Sequence, residues 1–351
     1  MRYLRFYLVC FSCCWAVFVW GQDKTARYEV LTVAFYNVEN LFDTHNDPNT
    51  RDDDRTPEGR DRWTEDLYQK KVANIAFVLA QIGRETTQEA PAIIGLCEVE
   101  NRAVLEDLVQ EPALRPYDYG IIHMDSPDER GIDVALLYQK KRFLPIAFKN
   151  YELRLYRENG ERDFTRDHLL VHGLLEKEPM YFIINHWPSR SGGQKRSAPG
   201  REKAAALTKK LADSILEQHP KAKLINMGDF NDDPVDKSLA EVLQATDNKK
   251  LAIRKKRLFN PMMAFYSQGV GTSCYRGTWN VLDQMHISAG LLRKKSDGWQ
   301  FWKAGIYNKP FLINQEGRYK GYPYRSFAGG RFLGGYSDHF PVYSYLVRNV
   351  N

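Results

Sequence analysis

The sequence predicts an α/β fold in which two sheets pack together and helices cover their outer faces. Short apolar strands separated by loops run along the whole chain, with few helices between them. Strands such as Ala92–Cys97 are apolar throughout, which is typical of strands buried on both faces. Such strands need a covering layer on each side, and two packed sheets with outer helices supply it. An open doubly wound sheet fits the same pattern and stays an alternative.

The predicted strands share a run of apolar residues bounded by turn-forming or charged residues. They are Tyr28–Phe35, Ala92–Cys97, Tyr119–His123, Asp133–Tyr138, His168–Leu175, Met180–Asn185, Lys223–Met227, Val281–Ser288 and Pro341–Val347.

Two segments carry apolar residues at helical spacing. In Trp63–Ile82 the apolar residues recur every three to four positions, and Glu65 and Asp66 suit the positive end of a first turn. In Arg201–His219 a similar stripe stops at Pro220, which cannot continue a helix. We expect these helices on the outer faces of the sheets.

The N-terminus has the pattern of an export signal. Arg2 and Arg5 precede the run Phe6–Trp20, which is shorter than the ~20 residues of a membrane span, and Gly21 fits a small-residue cleavage site. We predict that residues 1–21 are a signal peptide and that the protein is exported to the periplasm or the exterior. An uncleaved membrane anchor is the alternative.

The remaining chain is predicted to form a single domain over residues 22–351, because it has no linker, low-complexity segment or repeat. Beyond the signal, Cys97 and Cys274 are too few for a disulfide scaffold, and we expect both to be free. The formal charge of +6 suits an anionic partner but does not distinguish nucleic acid from phospholipid.

Two motifs place a carboxylate beside a second polar group at the tip of a short strand. Gly228–Pro234 (GDFNDDP) follows an apolar run, and Ser337–Pro341 (SDHFP) precedes one. Loops at strand ends are where rigid scaffolds usually present their chemistry. A carboxylate, an amide and an imidazole can together hold a metal, activate water and neutralise a phosphoryl group.

Further polar clusters lie in or beside predicted strands, at Tyr36–Asn40, Glu98–Asn101, Asn185–Arg190 and Leu282–His286. Each alone has an ordinary structural explanation. Together they offer mainly oxygen ligands, which favour a hard cation such as Mg²⁺ or Mn²⁺. The sequence has no His-Glu-x-x-His motif, phosphate-binding P-loop or Gly-x-Ser-x-Gly elbow, which disfavours zinc, nucleotide-hydrolysing and serine-hydrolase chemistry.

The ordered series of these motifs resembles the endonuclease/exonuclease/phosphatase superfamily. That group includes pancreatic-type deoxyribonuclease, abasic-site repair endonucleases, neutral sphingomyelinases and inositol-polyphosphate 5-phosphatases. The resemblance covers essentially the whole mature chain. It implies a four-layer α/β/β/α sandwich of two mostly antiparallel sheets with outer helices, and an active site at one end of the sheets. The matching segments are Asn37–Glu39, Glu98, Arg130–Leu137, His186, Gly228–Asn231, Leu282–Gln284 and Ser337–His339.

The resemblance implies a metal site for Mg²⁺ or Mn²⁺. Glu98 matches the metal-binding glutamate of the family. Asn37 and Asp338 match positions that complete the ligand shell, directly or through water. Glu39 falls where some members carry a second acidic metal residue.

The catalytic roles are implied in the same way. Asp229 matches the aspartate that orients or deprotonates the attacking water, and Asn231 would hold a phosphoryl oxygen or fix that aspartate. His339 would donate to the phosphoryl oxygen, with Asp283 accepting its other ring proton. His186 matches a second position that faces the phosphate. Water activation by His339 instead of Asp229 stays open.

We predict Arg130, Ser189 and Arg190 as substrate-binding residues. Arg130 opens one matching segment, and the other two follow His186. A nuclease needs a basic groove that tracks several phosphates. The basic residues that offer one, unless they are solvated surface runs, are Arg190, Lys195, Arg196, Arg201, Lys203 and Arg254–Arg257.

The sequence thus predicts an exported Mg²⁺-dependent phosphodiesterase, in the first place a nuclease acting as a monomer without a stable protein partner. A phospholipid or sugar-phosphate phosphoesterase is the alternative enzyme. The aromatic cluster Trp299–Trp302 would serve a lipid enzyme at a membrane, although core packing explains it as well. A family member that binds phosphoesters without turnover is the alternative from outside enzymology.

Overall fold

The computed structural model describes residues 27–293 and 298–350. The predicted signal peptide, residues 1–21, lies outside the described residues, so its export role stays a prediction. Within residues 27–293 and 298–350, we find no helix with the length and apolar character that crossing a bilayer requires.

The strands of the described chain are β1 (Tyr28–Leu41), β2 (Ile93–Val99), β3 (Tyr119–His123), β4 (Asp133–Gln139), β5 (Phe143–Tyr151), β6 (Leu155–Tyr156), β7 (Arg162–Asp163), β8 (His168–Leu175), β9 (Glu178–His186), β10 (Lys223–Asp229), β11 (Ser273–Tyr275), β12 (Thr278–Asn280), β13 (Asp283–Ile287), β14 (Gln300–Ile306), β15 (Phe327–Ala328), β16 (Arg331–Phe332) and β17 (Val342–Asn349). The helices are α1 (Glu65–Gln81), α2 (Arg84–Thr87), α3 (Arg102–Gln110), α4 (Gln194–Gln218), α5 (Lys249–Lys255) and α6 (Met263–Ser267).

The larger strands form two sheets. The first sheet has the order β14-β17-β1-β2-β4-β3, and the second has the order β13-β10-β9-β8-β5. Neighbouring strands are antiparallel except β1 with β2 and β9 with β10. The prediction of two mostly antiparallel sheets is therefore confirmed.

The two sheets pack face to face, with helices outside them. A side chain at Gly95 of β2 would come within 3.1 Å of Met227 of β10, so the sheets approach closely at the centre. The largest apolar core joins the facing sides of the sheets and the buried side of α1. A second core lies between α4 and the outer side of β9 and β10. This arrangement gives the order helix, sheet, sheet, helix.

The structure differs from the predicted elements in places that matter for the site. Strand β1 continues beyond Phe35 to Leu41, and α4 begins at Gln194 instead of Arg201. The helix runs through Pro199 and Gly200, and Arg201 in the same helix donates to Ser197 Oγ and to the Gln194 carbonyl. The basic residues Lys195, Arg196, Arg201 and Lys203 therefore lie on a helix, whereas Arg190 precedes it in a loop.

The sequence also missed β5, β14 and α3. Strands β5 and β14 are edges of the two sheets, where a strand has one partner and keeps polar residues among its apolar ones. The alternating pattern is consequently weak. In the described chain Cys97 is buried and Cys274 half-buried, and both are free thiols.

Candidate active site

The second sheet contributes a straight row of polar side chains. His186 ends β9, Asp229 ends β10 and Asp283 begins β13. Asp229 is in register with His186 on one side and with Asp283 on the other. Because residues in register share one face of a sheet, the three side chains line up across its end.

The first sheet contributes residues from a distorted backbone. The pairing of β1 with β2 shifts register after Asn37. Glu39, Asn40 and Glu98 all have positive φ, at 50°, 55° and 62°. Non-glycine residues rarely adopt this conformation, and it concentrates at functional sites where the surroundings hold it. The distortion turns the Glu98 carboxylate toward the second sheet.

Asn37 joins the two halves of the site. Its Nδ2 donates to Glu98 Oε1 at 3.3 Å and to Asp229 Oδ2 at 3.1 Å. Its Oδ1 accepts from the Glu39 amide at 2.9 Å, which sets the orientation of the side chain. In this orientation the amide nitrogen faces both carboxylates, so Asn37 positions them. Its role as a direct metal ligand stays a prediction.

Asp229 is a buried carboxylate whose pKa is raised toward neutral pH. The residue is 2% exposed, and Oδ1 accepts from the Asn231 amide at 2.9 Å. Burial raises its pKa to about 6, with His339 opposing the shift and Asp283 adding to it. A carboxylate with this pKa is a stronger base than an ordinary aspartate.

Asn231 supports this arrangement from the loop after β10. Its φ is 52°, and its Nδ2 donates to the Trp187 carbonyl at 3.0 Å. The side chain therefore anchors the loop that carries the Asn231 amide. Its predicted contact with a phosphoryl oxygen stays a prediction.

His339 forms a charge-assisted pair with Asp283. The distance from His339 Nδ1 to Asp283 Oδ2 is 2.6 Å, and both residues are buried. Burial opposes protonation of His339, but the carboxylates of Asp283 and Asp229 outweigh it and raise its pKa well above the ordinary value. The pair therefore favours the protonated imidazole. Thr272 Oγ1 accepts from the Asp283 amide at 3.1 Å and steadies the pair.

His186 is a neutral imidazole at the centre of the cleft. Its Nε2 lies 3.7 Å from Glu98 Oε1 and 3.7 Å from Asp229 Oδ2, so it faces both halves. Burial lowers its pKa well below the ordinary value, and the charges of Arg166 and Arg130 add to the effect. It therefore serves as a hydrogen-bonding group and not as a cation.

Glu39 is occupied by protein donors. Its Oε1 accepts from Arg325 Nε and Nη2 at 3.0 and 2.9 Å, and its Oε2 accepts from the Ser326 amide and hydroxyl at 2.6 and 2.8 Å. Arg325 also reaches Asp338 Oδ2 at 3.3 Å. A metal at Glu39 would have to displace these donors, so its metal role stays a prediction.

Lys71, Arg325 and Ser326 form a support that the sequence did not reveal. Lys71 is fully buried, and its Nζ donates to the carbonyls of Glu39 and Asn40 and to Ser326 Oγ. These carbonyls belong to the distorted end of β1, so Lys71 holds that distortion in place. A lysine inside the apolar stripe of α1 is the one sequence signal that would have found this group.

The remaining donor atoms suit a hard cation. Glu98 and Asp338 have partly exposed side chains, 14% and 37% accessible, and offer carboxylate oxygens beside the buried acids of the cleft. Asp229, Asp283 and His339 also bring ligand atoms within 4.8 Å of one another. Because His339 and Asp283 bond to each other, the oxygens of Glu98 and Asp338 fit Mg²⁺ or Mn²⁺ better.

The predicted substrate residues divide into two kinds. Arg130 and Ser189 line a cavity of about 780 Å³ beside the cleft. Arg190 instead donates to the Asn231 carbonyl at 2.8 Å and to Asp233 and Asp236 at 3.2 and 3.0 Å. Those contacts position the Asn231 loop, and the substrate role of Arg190 stays a prediction.

Arg201 corrects one part of the predicted basic groove. It is fully buried, and its Nε lies 2.6 Å from Asp232 Oδ1. A buried ion pair of this kind fastens α4 to the loop after β10. Arg201 therefore does not face a substrate strand.

The family comparison agrees with this geometry. A model of the endonuclease/exonuclease/phosphatase family matches residues 32–348. A search among curated proteins found no match.

Solved structures share the fold at low sequence identity. An endonuclease/exonuclease/phosphatase family protein from Bacteroides thetaiotaomicron is 18% identical with a TM-score of 0.54, over 92% of this chain and 100% of that chain. TDP2 of D. rerio, complexed with single strand DNA product, is 13% identical with a TM-score of 0.52, over 90% and 98%. A mannosyl-6-phosphatase of Bacteroides thetaiotaomicron is 17% identical with a TM-score of 0.51, over 90% and 99%. At these identities the likeness shows the fold alone.

Proposed function

The chain belongs to the endonuclease/exonuclease/phosphatase family, and we propose that it is an exported, Mg²⁺- or Mn²⁺-dependent phosphodiesterase that acts as a nuclease. One observation carries the proposal. Glu98 from the first sheet and the row of His186, Asp229 and Asp283 from the second meet in one cleft, with Asn37 bonded to both halves. A protein that only binds phosphoesters needs no carboxylate poised beside an imidazolium pair.

Asp229 is the group that takes the proton from the attacking water. Its Oδ1 is held by the Asn231 amide and its Oδ2 by Asn37 Nδ2, so one carboxylate face is aimed into the cleft. A pKa of about 6 leaves it mostly ionised at pH 7 and close enough to neutrality to accept a proton efficiently.

His339 stabilises the charge that develops on the phosphoryl oxygens. Its Nδ1 is committed to Asp283, which leaves Nε2 as the free donor of the imidazolium. Preorganised cationic donors act on charge that appears in the transition state and lower its free energy. His186, neutral and central, donates a hydrogen bond to the phosphate or to the departing oxygen.

Glu98 and Asp338 are the residues that would hold a metal ion for the same displacement. Glu98, with Asp338, would hold the ion, and the ion would supply a Lewis acid that neutralises negative charge on the phosphate. Asn37 keeps the Glu98 carboxylate in position. Since phosphoryl transfer needs mainly positioning and electrostatic stabilisation, this set requires no covalent enzyme intermediate.

Export and a monomeric state belong to the proposal as well. The Phe6–Trp20 run between basic residues and a small residue supports export. A nuclease outside the cytoplasm would act on extracellular or periplasmic nucleic acid.

A substrate panel tests the proposal. The purified mature protein receives plasmid DNA, RNA, sphingomyelin, a sugar phosphate and bis(p-nitrophenyl) phosphate, each with Mg²⁺ and with chelator. We expect cleavage of nucleic acid and of the simple diester that chelator and Glu98→Ala abolish. Glu106→Ala removes a matched but exposed carboxylate on α3 and should leave cleavage unchanged.

Two outcomes would contradict the proposal. Cleavage that persists in chelator or in the Glu98→Ala variant would remove the metal mechanism. A preference for sphingomyelin or for the sugar phosphate over DNA and RNA would be consistent with a phosphoesterase but would contradict the proposed nuclease specificity.

A further inference from the structure

A half-open cavity of about 780 Å³ adjoins the active-site cleft. One wall is the start of α4, and the facing wall is the hairpin of β6 and β7 with Phe164 beside it. The segment Pro188–Ser189, which follows His186, lies between them. None of the catalytic residues described above lines this cavity.

The cavity wall is continuous with the catalytic cleft. The Trp187 carbonyl accepts from Arg166 Nη2 at 2.8 Å on the cavity side and from Asn231 Nδ2 at 3.0 Å on the cleft side. Arg166 and Arg130 also act electrostatically on His186. A ligand that fills both spaces would therefore pass directly from the reacting phosphate into the cavity.

The cavity lining contains more basic side chains than its acidic side chains can pair with. Arg51 pairs with Glu129 at 2.8 Å, and Arg166 pairs with Asp128 at 2.9 Å. Among residues 27–293 and 298–350 we find no ion pair for Arg196 or Lys203, which are both exposed on α4. Arg130 also pairs with Asp128, at 3.8 Å, but Asp128 is shared with Arg166 and the Arg130 side chain is about half exposed, so Arg130 is the third cation open to a ligand. Among the acidic residues of the lining, Glu158 on the hairpin is the one for which residues 27–293 and 298–350 supply no ion pair.

Exposed aromatic rings stand at the same rim. Tyr156 is 57% exposed and Phe164 is 44% exposed. The Arg162 guanidinium lies 5.4 and 5.5 Å from the two ring centroids and holds them in place. Bases of single strands stack on aromatic side chains regardless of sequence, while a positively charged groove follows the backbone.

We propose that this cavity binds the next phosphate and base of a single nucleic-acid strand whose scissile phosphate lies in the cleft. Arg130, Arg196 and Lys203 bind the phosphate, and Phe164 with Tyr156 stacks the base. This inference rests on the proposed phosphodiesterase function. It identifies the substrate as an extended, unpaired strand and explains how a mildly basic protein recognises it without a long basic groove.

Binding without turnover is the first test. Affinity for a fluorescent oligothymidylate is measured by anisotropy in chelator over a salt series. The double variant Arg196→Ala/Lys203→Ala should bind at least tenfold more weakly at low salt. Its salt slope should fall by about 0.7 for each lost contact with a single strand. Lys209→Ala/Lys210→Ala, on the same helix but outside the cavity lining, removes the same charge and should bind nearly as the wild type does.

Base stacking is tested separately. Phe164→Ala should weaken binding of oligothymidylate but not of an abasic strand of equal length, because only the first strand offers a base. Equal losses for both strands would overturn the stacking role. If Arg196→Ala/Lys203→Ala and its control double variant lost equal affinity, binding would depend on general surface charge and not on the cavity. That result would overturn the inference.

Turnover separates this inference from the function beneath it. With Mg²⁺ present, the ratio of kcat/KM for the oligonucleotide to that for bis(p-nitrophenyl) phosphate should fall about tenfold in Arg196→Ala/Lys203→Ala. An unchanged ratio with an active enzyme would overturn the cavity assignment and leave the phosphodiesterase standing. Strand binding as expected without cleavage of either substrate would instead overturn the proposed function.

Discussion

The two sheets build their halves of the site by different means. On the second sheet, His186, Asp229 and Asp283 lie in register across the ends of ordinary strands. On the first sheet, Glu39 and Glu98 lie on backbone with positive φ. The register itself aligns the second-sheet row, whereas the distorted end of β1 is held by Lys71, Arg325 and Ser326.

The difference suggests a division of labour. In the proposed mechanism the second-sheet row acts on the water and the phosphoryl oxygens, and its positions are set by the register of the strands. In the same proposal the first-sheet half holds the cation, and its geometry is maintained by contacts from distant parts of the chain. Substitutions in the second-sheet row should therefore lower kcat. Substitutions in the first-sheet half should raise the Mg²⁺ concentration that the enzyme requires.

The largest effect should come from Asp229→Asn. Loss of the proton acceptor should lower kcat about 10³-fold, within the range for a general base. The half-saturating Mg²⁺ concentration should change little, and the free energy of unfolding should not fall markedly, because burial already disfavours this charge. Steady-state kinetics with bis(p-nitrophenyl) phosphate measures the loss, and Asp213→Asn on the exposed side of α4 is the control. A large shift in the Mg²⁺ requirement with an unchanged kcat would contradict the division of labour between the two sheets.

Asp283→Asn should follow with a loss of about 10² in kcat. The neutral amide no longer favours the imidazolium form of His339, so the donor to the phosphoryl oxygen loses its charge. In a profile of kcat against pH, the Asp283→Asn variant should then lack the part of the activity that requires a protonated His339. If Asp283→Asn and His339→Gln lost different amounts, the two residues would not act as one pair.

Arg325→Ala should have an effect of about tenfold, and mainly on the metal. Without the guanidinium, Glu39 and Asp338 lose the donor that fixes them, and residues supporting a metal site typically contribute at this level. The measurement is the half-saturating Mg²⁺ concentration, followed by activity. Arg318→Ala, in the same long loop, is the control. A change confined to kcat would place Arg325 on the phosphate instead.

Lys71→Met should have the smallest effect on turnover and a clear effect on stability. The change leaves the Glu39 and Asn40 carbonyls without their donor, and unsatisfied buried groups cost about 1–3 kcal/mol. Urea unfolding measures the loss, with exposed Lys70→Met as the neighbouring control. Activity at saturating Mg²⁺ should recover most of its value, since the metal can restore the order of the Glu98 side. Full activity with unchanged stability would show that β1 keeps its distortion without Lys71.

Sequence reasoning reached Asp229 and His339 because their signals are local. Asp229 and His339 lie in short motifs at strand tips, and alternation along the strands predicts which residues share a face. Strands that are apolar on both faces indicate covering layers, but the four-layer order came from the family resemblance.

The rest was hidden because it depends on contacts across the whole chain. Arg325 and Glu39 are 286 positions apart, and nothing in the glycine- and aromatic-rich segment around Arg325 indicates that it binds an acid. Likewise, the sequence did not reveal that Arg201 is buried in a pair with Asp232 or that Arg190 bonds to Asp236. A basic residue in a sequence does not reveal whether its partner is a substrate or a carboxylate of the protein.

The central claim is that the two halves form one metal-dependent hydrolytic site, and a double-variant cycle in rates tests it most directly. Hydrolysis of bis(p-nitrophenyl) phosphate at saturating Mg²⁺ is compared for the wild type, Glu98→Gln, Asp229→Asn and the double variant. Residues that act as a unit show strongly non-additive losses. We predict that the double variant is about as slow as the slower single variant. Losses that multiply, or hydrolysis that continues in chelator, would contradict a single site.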